Sequence, residues 1–297
     1  MHPKNKFLII LVNYKNPDDT IECITSLLKT NVNLNTIYVI ENGSNDDSYK
    51  KLSKNFPALN IYVSAKNLGF SGANNVGIKY ALENDFEYAI LLNNDTIVAK
   101  DSIQLLIKNM DSFLAAALGS GQIRNYPESN TIWYAGGKIV KWRGLAVHTM
   151  YGEKIDNEQF STEPQKVTFI SGCYMAIRLS KLALLGLLEE KFFLYLEDIE
   201  YSARAVSKGL TLMYFPASII YHKWRGEKKL GEQTLYYAVR NRNLLVDLSF
   251  PKYVKIYFTA IIYLKMAYWF FTRRALFLAA KRGLSDYHQN IFGPISK

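Results

Sequence analysis

Along the first 110 residues, short unbroken apolar runs alternate with stretches whose apolar positions recur every three or four residues. The run at 7–12 lacks the in–out alternation of a half-exposed strand, 88–92 reads as a buried strand, and 36–40 and 60–64 read as two more strands. That pattern belongs to strands of a parallel sheet covered on both faces. Ile21, Ile24, Leu27 and Leu28 mark one face of a helix that starts after Asn16, carries Pro17 at its first position and ends near Thr30. A glycine-rich stretch leads into a helix over about 73–82, and Asp101 caps another that runs through Met110. Strands alternating with helices predict a Rossmann-like α/β layer.

The regularity breaks after that. Gly136-Gly137 between two apolar-aromatic runs reads as a hairpin over 131–142, and the polar stretch 152–165 as a loop. Strands are expected at 166–170, 174–177 and 211–215, with helices from Ser180 and over 197–208. From Gly231 onward the spacing is helical. Leu235, Val239, Leu244, Leu245 and Leu248 accompany Arg240, Asn241 and Arg242, and Pro251 interrupts. The chain therefore divides into a main domain, 1–230, and a C-terminal helical extension, 231–297. The segment 253–280 is rich in aromatic and aliphatic residues but broken by Lys255, Lys265, Arg273 and Arg274. Its longest uncharged stretch is the nine residues Ile256 to Leu264, short of the roughly 20 a membrane span needs. Apolar bulk with scattered basic residues fits a helix lying on a membrane surface. Packing on the main domain, or in a homodimer through these helices, accounts for the same composition.

A hydrophobic content of 49% in 297 residues is ample for a core, and the net charge of +10 favours polyanionic partners. The basic residues are spread along the chain and form no recognisable reading motif, so a nucleic-acid-binding module is the weaker alternative and no nucleic-acid partner is expected. Cys23 and Cys173 have no metal spacing and read as reduced core thiols. The apolar run at 7–12 is shorter than a secretory core and reads as a strand, which points to the cytoplasm. The glycine stretch has no Gly-Lys-Ser/Thr and there is no GxGxxG, so neither a P-loop nor a dinucleotide fingerprint is present.

The chemistry concentrates where strands end. Asp95 follows the run at 88–92 directly, and open α/β sheets bind ligands just past the carboxyl ends of their strands. A carboxylate there suits a hard divalent cation carrying a phosphorylated ligand, while Asn and Asp are also ordinary turn residues.

Several segments fit one picture in order: Val12-Asn13-Tyr14, Glu41-Asn42-Gly43-Ser44, Asn67-Leu68-Gly69-Phe70-Ser71-Gly72-Ala73-Asn74-Asn75, Asn93-Asn94-Asp95, Ser171-Gly172, Glu197-Asp198 ahead of Arg204, and His222 near Arg225-Gly226. From about residue 6 to 250 the chain resembles the family 2 glycosyltransferases of GT-A fold, in the branch of bacterial rhamnosyltransferase-like and galactofuranosyltransferase-like enzymes that build surface polysaccharides. The resemblance implies an inverting transfer of a sugar from a nucleotide-diphosphate donor to a hydroxyl of a polyprenyl-diphosphate-linked saccharide. It implies work at the cytoplasmic face of the inner membrane, with L-rhamnose from dTDP-rhamnose as the favoured donor and UDP-sugars as alternatives. A mixed central sheet goes with the GT-A fold.

By the same resemblance, Asp95 and His222 hold a divalent metal, Mg2+ or Mn2+, although Asn93 stands where the family's DxD motif has its first acid. Asp198 is the general base and Glu197 its companion, placed to orient an acceptor hydroxyl. Asn13, Glu41 (where the family usually has Asp), Asn42, Asn67, Gly69, Asn74, Asn75, Asn93 and Arg225 form the donor side, with 223–229 as a lid. Arg240 and Arg242 suit either a phosphate or the anchoring of the last helices.

Overall fold

The protein is described here by a computed structural model covering residues 6–127, 130–155, 161–223 and 231–295. In chain order it begins with β1 (Phe7–Asn13), α1 (Pro17–Leu28), β2 (Ile37–Glu41), α2 (Ser48–Asn55), β3 (Asn60–Val63), α3 (Gly69–Glu83), β4 (Tyr88–Leu92), β5 (Thr96–Val98) and α4 (Ser102–Ser112). It continues with β6 (Ala116–Asn125), β7 (Ile132–Tyr134), β8 (Gly137–Val140), β9 (Leu145–His148), β10 (Gln165–Val167), β11 (Tyr174–Arg178), α5 (Leu182–Leu185), α6 (Glu197–Ser207) and β12 (Thr211–His222). Three helices follow: α7 (Glu232–Ser249), α8 (Lys252–Thr272) and α9 (Arg274–His288).

The main sheet runs β10-β12-β6-β11-β4-β1-β2-β3. Strands β4, β1, β2 and β3 are parallel; β4, β1 and β2 are buried as their unbroken apolar runs predict, while β3 is a largely exposed edge strand. Strand β11 is antiparallel to both β4 and β6, and β12 is parallel to β6. Two reversals cancel, so β12 points the same way as β4. The residues just past β4, β1 and β2, the end of β12 and the start of β11 therefore share one edge.

In the N-terminal half the four expected strands are present, with α2 and β5 as elements the apolar pattern did not predict. Departures come where glycine or tertiary contact overrides it. Helix α3 starts at Gly69 rather than 73, so the glycine-rich stretch is its first turn. The hairpin does not turn at Gly136-Gly137. Gly137 opens β8, which pairs with β9 across a tight turn at Lys141–Arg143, while β7 joins β6. Strand β6 lies next to the sheet's centre yet carries no sequence signal, because its Ala-Ala-Leu-Gly-Ser-Gly run is poor in β-branched residues. Its glycines are steric necessities. A Cβ at Gly119 would lie 2.5 Å from Met110 Sδ, and one at Gly121 would strike the Ser218 carbonyl. Strand β12 extends seven residues past the expected Phe215, crossing a register shift between Phe215 and Ile219.

The expected apolar segment 253–280 is two helices that part at Arg273. Val254, Phe258, Ile262, Met266 and Trp269 form the buried stripe of α8. Most of that stripe packs with Leu235 and Val239 of α7 and Leu276, Ala280 and Leu284 of α9. Helix α8, 21 residues long, is long and apolar enough by length and composition to cross a membrane, and most of its apolar stretch is not buried in the fold.

Candidate active site at the strand ends

The shared edge opens into a cleft of about 570 Å³. Asn42, Asn67, Gly69, Asn74, Asn93 and Asp95 line it. Asn42 Nδ2 donates to Asn67 Oδ1 (3.1 Å) and to the Gly69 carbonyl (3.2 Å), and Asn42 Oδ1 accepts from Leu68 N at 2.8 Å. Asn67 Oδ1 also accepts from Gly69 N at 2.8 Å. These bonds fasten the start of α3 to the end of β2. Gly69 has a φ of 73°, and any Cβ there would strike the Phe193 carbonyl.

Three expected donor-side residues sit elsewhere. Asn13 and Glu41 are buried beneath the cleft rather than lining it. Asn13 Nδ2 donates to Glu41 Oε2, and Glu41 Oε1 accepts from Ser44 N at 2.7 Å, so this carboxylate shapes the turn after β2. Asn75 points away altogether. Its amide donates to the Leu188 carbonyl and to Glu190 Oε1, and accepts from Leu188 N, stapling α3 to the loop before α6. Helical geometry explains the difference from Asn74, since consecutive residues diverge by about 100°. Arg225, and all of the expected lid 223–229 except Lys223, lie outside the described residues. Lys223 itself is bound to Asp19 and Glu22 on α1.

Asp95 and His222 meet. Strand β5 pairs with β12 so that His222 lies opposite Thr96, and Lys223 N donates to the Asp95 carbonyl at 2.9 Å. His222 Nε2 comes within 3.2 Å of Asp95 Oδ1, which is buried and accepts no hydrogen bond among the described residues. Two cis ligands of an octahedral cation with bonds of about 2.1 Å lie roughly 3 Å apart. The pair therefore fits a divalent metal in donor type and spacing. Among the described residues no group of three or more such side chains converges on one point.

Asp198 begins α6 beside the cleft. Its Oδ2 accepts from Gly172 N at 3.0 Å and its Oδ1 from Ile199 N at 2.8 Å. The Phe70 ring packs over Gly172. Burial raises the Asp198 pKa, while the Gly172 amide and the charge of His148 oppose the rise. Glu197 is raised further, to about 8, by burial and by the Asp198 charge. Glu197 is 6% exposed and its Oε2 has no hydrogen-bond partner among the described residues. Two backbone amides favour the ionised form of Asp198, while burial and the Asp198 charge favour the protonated form of Glu197.

A folded-state pKa above the unfolded one contributes stability that is present below the usual carboxylate range and lost as pH rises through the raised value. Glu197→Gln, which mimics the neutral acid, is therefore expected to gain stability relative to the parent as pH rises from 5 to about 8. Melting temperatures of both proteins across that range measure it, and parallel curves would contradict it.

Cys173 links the two carboxylates. Its carbonyl accepts from Asn93 N at 2.9 Å, and the charges of Asp95 and Asp198 both act on its thiol. Two groups escaped the sequence reading. Trp133 stands between His222 (centroids 4.9 Å apart) and His148 (4.6 Å), and the His148 ring stacks on Phe169 at 5.7 Å. Asn241, fully buried, donates to the carbonyls of Phe192 (2.8 Å), Leu194 (2.7 Å) and Tyr195 (2.9 Å). No periodicity could reveal either. Arg240 is also fully buried and bonds the Phe192 carbonyl at 3.0 Å, so it anchors α7 to this loop. A larger hollow of about 650 Å³ behind α3 is no rival, since its Glu200 is paired with Arg204 and its Glu190 with Asn75.

Residues 8–185, more than half of the chain, match the sequence model of glycosyl transferase family 2. The chain belongs to that family. This family 2 glycosyltransferase is 26% identical over 262 residues to the low-salt glycan biosynthesis hexosyltransferase Agl10 of Haloferax volcanii, covering 85% of this chain and 80% of the other. It is 27% identical to the rhamnosyltransferase WbbL of Escherichia coli over 57% of this chain and 65% of the relative. To the dTDP-rhamnosyl transferase RfbF of Shigella flexneri it is 25% identical over 71% and 70%. Among solved structures, GalNAc-T7 with UDP, GalNAc and Mn2+ superposes with a TM-score of 0.60 at 19% identity, over 83% of this chain and 48% of that one. S. aureus TarS 1–349 gives 0.54 at 15% identity, over 81% and 65%. Those likenesses show the GT-A fold. The nucleic-acid-binding reading falls with the family assignment.

Proposed function

We propose that this glycosyltransferase moves L-rhamnose from dTDP-rhamnose, with inversion, to a hydroxyl of a polyprenyl-diphosphate-linked saccharide at the cytoplasmic face of the inner membrane. The observation that carries the reading is the convergence on one edge of the Asp95–His222 pair and the amide-held carboxylate of Asp198, with Cys173 between them. The donor sugar rests on two relatives named for rhamnosyl transfer.

Asn42, Asn67, Gly69, Asn74 and Asn93 offer amide and backbone groups to the nucleotide and sugar. Asp95 and His222 would hold a divalent metal, which would supply Lewis-acid neutralisation of the departing diphosphate. Asp198 accepts the proton of the acceptor hydroxyl as that oxygen attacks the anomeric carbon. The bond from that carbon to the diphosphate breaks, and the nucleoside diphosphate leaves. The Gly172 and Ile199 amides keep Asp198 ionised and aimed, and neutral Glu197 adds no repelling charge.

Donor hydrolysis across dTDP-rhamnose and UDP-linked galactofuranose, glucose and N-acetylhexosamines, with and without Mn2+ or Mg2+, tests this. The rhamnosyl donor is expected to turn over fastest and to need metal. Asp95→Ala is expected to weaken metal binding at least tenfold, read by titration calorimetry with Mn2+ and nucleoside diphosphate. Preference for a UDP-sugar would reassign the donor, and full activity in chelator would remove the metal.

A further inference from the structure

We propose that the β8–β9 turn, Lys141-Trp142-Arg143, and the outward face of α8 form one docking surface for an anionic lipid headgroup layer, with Arg143 and Arg242 receiving lipid phosphate. The inference deepens the membrane-facing part of the reading above and rests on it for its meaning.

Between Lys252 and Ser285 there are seven Lys or Arg residues and no acid. Ile256, Tyr263, Leu264, Tyr268 and Phe271 of α8 are all more than half exposed. Bulky apolar and aromatic groups among cations complement an anionic interface better than a second copy of the same surface, whose charges would repel. The turn completes the patch. Trp142 is 58% exposed and its ring meets Tyr257 of α8 edge-on at 5.8 Å. Gly144, at φ 59°, lets the turn close on Val254, whose Cγ1 would lie 2.7 Å from any Cβ there.

Among the described residues no carboxylate pairs with either of the two cations at the junction. Arg242 donates to the Arg143 carbonyl and lies over the Phe258 ring at 4.9 Å. Its Nε is buried with no acceptor among the described residues. Burial and the Arg143 charge push its pKa down to about 10. Like charges held together in a half-buried site call for a bridging anion, and guanidinium forks match phosphate.

The position explains the use. Gly137 and His148 pair at the base of the hairpin, and Gly137 also bridges Phe169. The base lies close enough to Asp198 for the His148 and Asp198 charges to interact. The tip pair, Val140 and Leu145, is three residues away, roughly 10 Å at about 3.3 Å per residue. The hairpin therefore carries the lipid surface to within reach of the base that activates a lipid-linked acceptor.

Cosedimentation of the full chain with phosphatidylcholine vesicles, and with phosphatidylcholine–phosphatidylglycerol vesicles, tests the inference. The protein is expected to partition onto the anionic vesicles and to be released by salt. Arg143→Glu reverses one charge on an exposed turn and is expected to weaken partitioning about thirtyfold. Trp142→Ala is expected to weaken it on both lipids. Donor hydrolysis in free solution is expected to be unchanged in both variants, since neither residue lines the cleft. Loss of hydrolysis in the parent with vesicle binding intact would remove the catalytic reading and leave the docking surface standing. Three results would overturn the docking surface: equal partitioning of parent and Arg143→Glu, release only by detergent, or a dimer that buries α8 and ignores vesicles.

Discussion

Asp198→Asn is expected to lower turnover by about a thousandfold, the middle of the range for losing a positioned general base, while leaving the affinity for nucleoside diphosphate within about twofold. Asparagine is nearly isosteric and its Oδ1 can still accept from Gly172 N. It cannot take a proton from an attacking hydroxyl. Asp198 is bonded to the acceptor-side loop and does not line the donor cleft, so the donor has no reason to notice. Single-turnover kinetics together with calorimetric titration of the nucleotide separate the two effects. Normal turnover in the variant would remove Asp198 as the base. The parent carries a companion signature. Because burial raises the Asp198 pKa, activity should fall on acidification above the usual carboxylate range, and the variant's residual rate should lack that acid limb.

Asn241→Leu is expected to be the most damaging change outside the catalytic groups. The segment before α6 places Phe193, Tyr195 and Leu196 all at positive φ, between 62° and 73°. Non-glycine residues there are strained by about 1 kcal/mol or more each. Nothing in the loop's own sequence repays this. Asn241 does, by donating to three of its carbonyls from the far side. A leucine fills the same space and strips the partly buried Leu194 and Tyr195 carbonyls of this donor, at about 1–3 kcal/mol each, while the Phe192 carbonyl keeps Arg240. A loss of about 4 kcal/mol is expected, the middle of that sum, read as the shift in urea midpoint at constant m. Turnover should fall with it, since the same loop delivers Asp198 and its Phe193 carbonyl accepts from Phe70 N at 2.6 Å. An unchanged midpoint would mean that the loop is held by its other contacts.

The parallel half of the sheet was legible because burial on both faces writes itself as unbroken apolar runs, as in Tyr88–Leu92. The placement of Asp95 past the end of one such run was legible too, and His222 ends the longer, interrupted strand β12. Strand β6 was illegible because its requirement is smallness. Met110 and the Ser218 backbone fill the space that β-branched residues would need. The hairpin was misplaced because Gly137 is there to admit the Phe169 ring rather than to turn the chain. Asn75 was misassigned because a motif records identity and not direction. Asn13 and Glu41 were placed in the right neighbourhood one layer too high, bonded to each other instead of facing the cleft. Asn241 and His148 act across long separations in the chain, and only the folded arrangement puts them in reach.

The two thiols under the catalytic floor give the protein a built-in reporter. Both are buried, Cys23 with its pKa pushed up to about 12 and Cys173 well above the ordinary thiol value by burial and nearby acids. The reactive thiolate is thus scarce while the sheet is closed. Alkylation of the native enzyme then proceeds only through opening events, and its rate is a clock for how often the ground beneath Asp95 gives way. A ligand that seats in the cleft slows that clock by the factor with which it favours the closed form.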